Sequence, residues 1–265
     1  MLLHLIGAAQ AMTIDEIWLS YEVAGFDGGD VDEVPRGGEL LTAGPDDRLA
    51  LYNPIDARVL LLDGDHQITA LIDSAGVGSM AWDSAGRLLL YAPHRRQLIL
   101  HAPDGRLLDV IALPDIIPAG GTVVVSAADA FVVDVFSNLH RAARISDDTL
   151  LPPSGPTLVE DGGRVRWDAA ATTLTVDGID WPLPEAIKAS GRLVGNDWLL
   201  IDQVVAGSPI VATRTAALRE TGERLHLPVD SRLYVPRADV AADADGRLLY
   251  LDPREDGLYI VRVTP

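Results

Sequence analysis

The sequence predicts an all-β chain, a six-bladed β-propeller closed by pairing of its N- and C-terminal strands. Three observations predict it: a hairpin that recurs six times, an outer-strand marker that recurs six times, and a repeat phase that leaves the last blade one strand short. Two independent markers with one count weigh against a β-sandwich or a pair of small β domains.

The hairpin is clearest at residues 79–93. A short apolar strand (Met80, Ala81, Trp82) enters the turn Asp83-Ser-Ala-Gly86, and Arg87-Leu-Leu-Leu-Tyr91 returns. Near the C-terminus the pattern repeats as Asp243-Ala-Asp-Gly246 followed by Arg247-Leu-Leu-Tyr-Leu251. Asp or Asn with Gly supplies the positive-φ positions that tight hairpins need. Weaker copies centre on Asp46, Ala127, Asp168 and Asn196. The mean separation of about 40 residues is the length of a four-stranded blade.

The second marker is an apolar residue followed by proline or an acid. It recurs at Val34-Pro35, Ile72-Asp73, Leu113-Pro114-Asp115, Leu151-Pro152, Leu183-Pro184-Glu185 and Leu227-Pro228. Proline suits the end of an edge strand, where no ladder hydrogen bond is lost. Each marker is read as the end of a blade's outer strand and the passage to the next blade.

Closure follows from phase. After Pro228 there is room for three strands, near Val240, over 247–251 and over 258–263. The fourth must come from the N-terminal region, from within 14–34, with 14–21 and 30–34 as the two possible stretches. Residues 12–265 are expected to form one propeller domain. Residues 1–11 are apolar and end in an Ala-x-Ala-like pattern but carry no Lys or Arg, so they read as a truncated signal or a packed segment, with Met12 as an alternative start. The one helix expected is a turn or two over 184–190.

Composition narrows the partners. The 265 residues carry 39 acids against 21 bases, a formal charge of −18, which repels nucleic acid and anionic lipid surfaces and favours a basic protein partner or cations. Lys188 is the only lysine. Cysteine is absent, which excludes disulfides and thiolate chemistry but leaves the compartment open. No stretch approaches the ~20 apolar residues of a membrane-spanning helix.

The turns Trp82-Asp-Ser-Ala-Gly-Arg87, His101-Ala-Pro-Asp-Gly-Arg106 and Asp243-Ala-Asp-Gly-Arg247, each continuing into an apolar strand, resemble blades of the six-bladed propellers grouped around NHL repeats, TolB-like domains and the SMP-30/gluconolactonase family. The resemblance implies architecture, since these residues make turns and strands. At its sharpest it implies a lactonase that holds a divalent cation, such as Ca²⁺, in the central tunnel through Glu, Asn and Asp oxygens, which would polarise a lactone carbonyl. The family's early Glu-Gly-Pro motif is missing here, with Gly37-Gly38-Glu39 the nearest match. Its Asn-Gly pairs are absent as well, and the three asparagines (Asn53, Asn138, Asn196) fall near turns.

Other chemistry is equally sparse. His66, His94, His101, His140 and His226 are scattered, without metal-ligand spacing. No nucleophile elbow and no phosphate-binding glycine loop occurs. Asp243-Ala-Asp-Gly246 resembles the start of a calcium loop, but Asp83-Ser-Ala-Gly86 fills the same blade position without the second acid, so a turn is expected. The acidic loop 27–33 is expected to be a solvated surface. The expected role is a non-catalytic protein-binding or assembly module without a cofactor. A metal-dependent hydrolase of the lactonase type is the alternative. A tunnel lined by Ala81, Val124, Ser126 and Ala241 would fit the first reading. Asp73, Asp115, Glu185 and Asp230 open equivalent connections between blades, so they are expected to form an acidic rim on one face, together with Arg36.

Overall fold

The computed structural model describes residues 12–24, 38–134, 138–153, 155–160, 165–205, 211–227, 239–254 and 256–265. These form six antiparallel sheets. The first contains Leu40–Ala43, Leu49–Asn53, Arg58–Leu62 and Ile68–Asp73. The second contains Ser79–Trp82, Leu88–Ala92, Gln97–His101 and Leu107–Ala112. The third runs through Thr122–Ser126, Asp129–Val133, Leu139–Ser146 and Thr149–Leu151, with Leu158–Glu160 also pairing on Leu139–Ser146. The fourth has three strands, Val165–Asp168, Thr173–Val176 and Ile179–Pro182. The fifth contains Ala186–Val194, Trp198–Val205, Val211–Leu218 and Arg224–Leu227. The sixth joins Val240–Ala242, Leu248–Arg254 and Gly257–Thr264 to the N-terminal strand Thr13–Leu19.

That N-terminal strand answers the closure question. Thr13 pairs with Thr264 and Leu19 with Leu258, in unbroken register, so the 14–21 stretch supplies the missing strand. Residues 30–34, the other possibility, lie outside the described residues. Closure hides an edge that would otherwise template aggregation.

The core explains why the middle strands read as continuous apolar runs. Along Leu49–Asn53, Leu49 and Leu51 pack with Leu249 and Leu258 of the sixth sheet, while Ala50 and Tyr52 pack with Leu88 and Leu90 of the second. Both faces are buried, so the usual apolar-polar alternation disappears. Further clusters are shared by the second and third sheets, the fourth and fifth, and the fifth and sixth. Neighbouring sheets thus share buried faces from the first to the third and from the fourth to the sixth, and the sixth packs on the first. Burying each such leucine contributes about 1.5–3 kcal/mol.

The hairpin turns are held by aspartate. Asp83 Oδ1 accepts the backbone N–H of Ala85 and Arg87, both at 2.9 Å, and Oδ2 accepts Arg87 Nε at 2.7 Å. Asp243 repeats this on Asp245 N, Arg247 N and Arg247 Nε. The Asp243 carboxylate is therefore committed to its own turn, as the turn reading expects. Gly86 and Gly246 take φ of 74° and 77°, which L side chains reach only with strain.

Two local expectations are corrected. Residues 184–190 form no helix: Ala186–Val194 is a strand, because Ala186 and Ala189 bury against Leu174 and Trp181 while the backbone pairs with Trp198–Val205. The short helix is instead Tyr21–Ala24, where the chain leaves the closing strand. The Asp168 turn is not equivalent to the Asp83 turn. In the three-stranded sheet it is the hairpin nearest the next connection, shown by Leu183 N donating to Thr172 O at 2.8 Å.

Candidate functional site

All outer strands end on one face, called here the connection face, because every sheet is antiparallel and passes to the next from its last strand. Asp73 ends the outer strand of the first sheet, Asp115 follows that of the second, and Glu185 follows that of the fourth. The structure thus places these three on the predicted face, while Asp230 and Arg36 lie outside the described residues. Two of the acids are clasped locally. Arg58 Nε lies 3.0 Å from Asp73 Oδ1, and Arg96 Nε lies 3.4 Å from Asp115 Oδ1. Arg96 Nη2 also donates to the carbonyls of Pro114 and Ile117. In both sheets an arginine at the start of the third strand pins the end of the fourth. Glu185 has no ion pair among the described residues and borders a cavity of about 760 Å³ with Ala169, Thr172, Pro184, Ile187 and Val205.

Apolar side chains stand beside these acids. Ile116, next to Asp115, is 66% exposed, and Ile187, two residues beyond Glu185, is 53% exposed. Ile55, in the turn after Leu49–Asn53, and Val211, at the start of Val211–Leu218, are exposed toward the same face.

A second concentration of polar groups lies where the fifth and sixth sheets meet at the centre. Asp202 and Arg214 are register partners on adjacent strands, and Arg214 Nε donates to Asp202 Oδ1 at 2.6 Å. Arg214 Nη1 donates to both oxygens of Asp239, at 2.7 and 2.8 Å. Asp239 immediately precedes the innermost strand of the sixth sheet. Burial opposes the charge of Arg214, but Asp239 and Asp202 outweigh it and raise its pKa. Burial pushes the Asp239 carboxyl up against the pull of Arg214 and Arg192. Arg192, on the innermost strand of the fifth sheet, donates from Nη2 to the Val240 carbonyl at 3.3 Å. Burial lowers its pKa, with Asp239 opposing. Both converging carboxylates are thus held by a guanidinium, which makes this cluster a poor cradle for a cation. Sequence reasoning missed it because Arg192, Asp202, Arg214 and Asp239 are scattered over 48 positions and share no motif. The one available signal was charge inside otherwise apolar strands.

Four of the histidines are engaged singly. His101 Nδ1 meets Gly105 O at 3.0 Å, His140 Nε2 meets Asp134 Oδ2 at 2.9 Å, His226 Nδ1 meets Thr215 Oγ1 at 3.2 Å, and His66 Nε2 meets Arg262 Nη2 at 3.1 Å. Among the described residues no three His, Cys, Asp or Glu side chains are grouped to hold a metal. No helix among them is long and apolar enough to cross a membrane. Of the four residues expected in the tunnel, Ala81 and Val124 are half-buried, Ser126 is exposed and Ala241 is buried. The acidic loop 27–33 lies outside the described residues.

No family model matches the chain, and no curated protein matches it in sequence. Solved structures do. A streptogramin B lyase aligns with a TM-score of 0.52 at 11% identity, covering 96% of this chain and 98% of that one. Virginiamycin B lyase from Staphylococcus aureus aligns at 0.51 and 10% identity, covering 96% and 100%. A protein of unknown function from Bacteroides thetaiotaomicron aligns at 0.50 and 12% identity, covering 96% and 77%. At such identities the likeness carries the fold and not the activity. Together with the face-packed antiparallel sheets, it shows the chain to have a β-propeller fold.

Proposed function

We propose that this propeller is a binding module that takes a protein partner on its connection face, through basic side chains set among apolar ones. The observation that supports the reading is the alternation there of exposed acids with exposed apolar residues, Asp115 beside Ile116 and Glu185 beside Ile187. Apolar contact supplies binding energy, and charge complementarity supplies approach rate and orientation. Asp73 and Asp115 stand exposed at the ends of outer strands whose backbones the sheets fix, so the face is presented on a rigid scaffold.

Peptide display against the immobilised protein tests this. The expected result is enrichment of peptides with Arg or Lys next to Leu or Phe. Enrichment should disappear when Asp73→Asn, Asp115→Asn, Glu185→Gln and Asp230→Asn are combined. Enrichment of the same peptides by that variant would overturn the proposal. Melting in EDTA and then in Ca²⁺, Mg²⁺, Mn²⁺ and Zn²⁺ separates the hydrolase alternative, because an ion held only by the folded state raises the melting temperature. The binding reading expects no ion-specific rise, and a clear rise would favour the metal-dependent hydrolase.

A further inference from the structure

Trp18 is the most exposed of the five tryptophans, at 53%, whereas Trp82, Trp181 and Trp198 are buried. It stands one residue before the end of the closing strand Thr13–Leu19, the outer strand of the sixth sheet, and so on the connection face. Side chains alternate along that strand, so Ile14, Glu16 and Trp18 point to one side. The register partners of Ile14 and Glu16, Val263 and Val261, pack with Leu200, which turns that side toward the fifth sheet. Trp18 therefore occupies the outer rim of the junction between the fifth and sixth sheets.

The indole is held in place. Its Nε1 donates to the Asp256 carbonyl at 3.3 Å, and its pyrrole edge covers Gly257, where a Cβ would collide with it. Its cross-strand partner Tyr259 carries the Arg254 guanidinium over its ring, 4.0 Å from the centroid, and donates its hydroxyl to Asp256 Oδ2 at 2.8 Å. Arg254 in turn binds Glu16, and its Nε donates to Asp252 Oδ2 at 2.8 Å. This bonded group holds three carboxylates, of Glu16, Asp252 and Asp256, against one guanidinium. Excess carboxylate beside an immobilised π face favours a cation, and a planar guanidinium stacks well on tryptophan. Arg254 on Tyr259 already shows that pairing within the chain.

We propose that Trp18 is an anchor that receives an arginine side chain of the partner protein, stacked on the open part of the indole with the Asp256 carboxylate beside it. The proposal rests on the connection-face reading for its partner, yet names a subsite that the acidic rim does not include. Because the ring is already fixed by Asp256 and Gly257, binding orders little, and tryptophan is a residue type that often carries binding energy.

Indole N–H signals of the ¹⁵N-labelled protein give the readout, with the Trp18 signal assigned by its loss in Trp18→Leu. N-acetylarginine amide is expected to move that signal saturably and to leave the Trp198 signal in place. N-acetylcitrulline amide, of similar shape without the charge, is expected to move neither. Asp256→Asn should raise the half-saturating concentration about threefold or more, and added salt should raise it as well. The variant combining Asp73→Asn, Asp115→Asn, Glu185→Gln and Asp230→Asn should respond as the native protein does. That response keeps the subsite even where the same variant leaves peptide enrichment unchanged and so overturns the acidic rim. A Trp18 signal unmoved by the arginine probe would overturn the subsite. Equal movement by the citrulline probe, or a response unchanged in Asp256→Asn, would also overturn it.

Discussion

Asp83→Ala should be among the most damaging substitutions outside the apolar core, although it alters a hairpin turn. The Asp83 side chain is 4% exposed and receives three bonds, from Ala85 N, Arg87 N and Arg87 Nε. Alanine leaves two backbone donors and a guanidinium without their acceptor. At about 1–1.5 kcal/mol per bond the loss sums to roughly 3–4 kcal/mol. In a domain of this size that lowers the melting temperature by roughly 6–12 °C. Asp104 is the control, because its exposed carboxylate accepts only Arg106 N at 3.0 Å. Asp104→Ala should cost below about 1 kcal/mol. Asp83→Asn keeps one acceptor oxygen and should fall between them. Urea unfolding followed by tryptophan fluorescence measures all three. The reasoning is refuted if Asp104→Ala is as damaging as Asp83→Ala, since burial and bond number would then not set the cost.

The closing strand supplies the second comparison. Ile17 is 9% exposed and packs with Leu251 and Ile260, so Ile17→Ala should cost about 2–4 kcal/mol, while Ile14→Ala, at 58% exposure, should cost below about 0.5. Equal urea midpoints for the two would argue against closure by this strand. The third concerns acid. Burial lowers the pKa of His101, against the opposing bond to Gly105 O, so the folded state binds fewer protons than the unfolded one. Stability should then decline as pH falls below about 6.5, the unfolded value, and the decline should end below the lowered folded value. Unfolding of His101→Gln should show a shallower dependence across that window, and an unchanged slope would assign the decline to other groups.

Some features of this molecule are local and therefore readable along the chain. An aspartate followed by glycine and arginine closes its own hairpin, so the turns at Asp83 and Asp243 are complete within five residues. A proline or acid after an apolar residue ends an outer strand at Asp73, Asp115 and Glu185, because an edge strand tolerates either. Middle strands buried on both faces read as leucine runs. These local rules, repeated, predicted the fold class and the face on which the acids stand. They failed at 184–190, where local helix signals lost to pairing with Trp198–Val205, and in the fourth sheet, where three strands shifted the Asp168 turn to the connection face.

What the sequence by itself determined is the all-β repeat and its closure by the N-terminal region. What only the tertiary structure decided is which charges meet. Asp202, Arg214 and Asp239 form one bonded group, and Arg192 reaches the Val240 carbonyl beside it. A strand's alternation can be read from sequence, but the neighbour it faces depends on how two sheets pack, and that packing is set by apolar contacts far from the charges themselves.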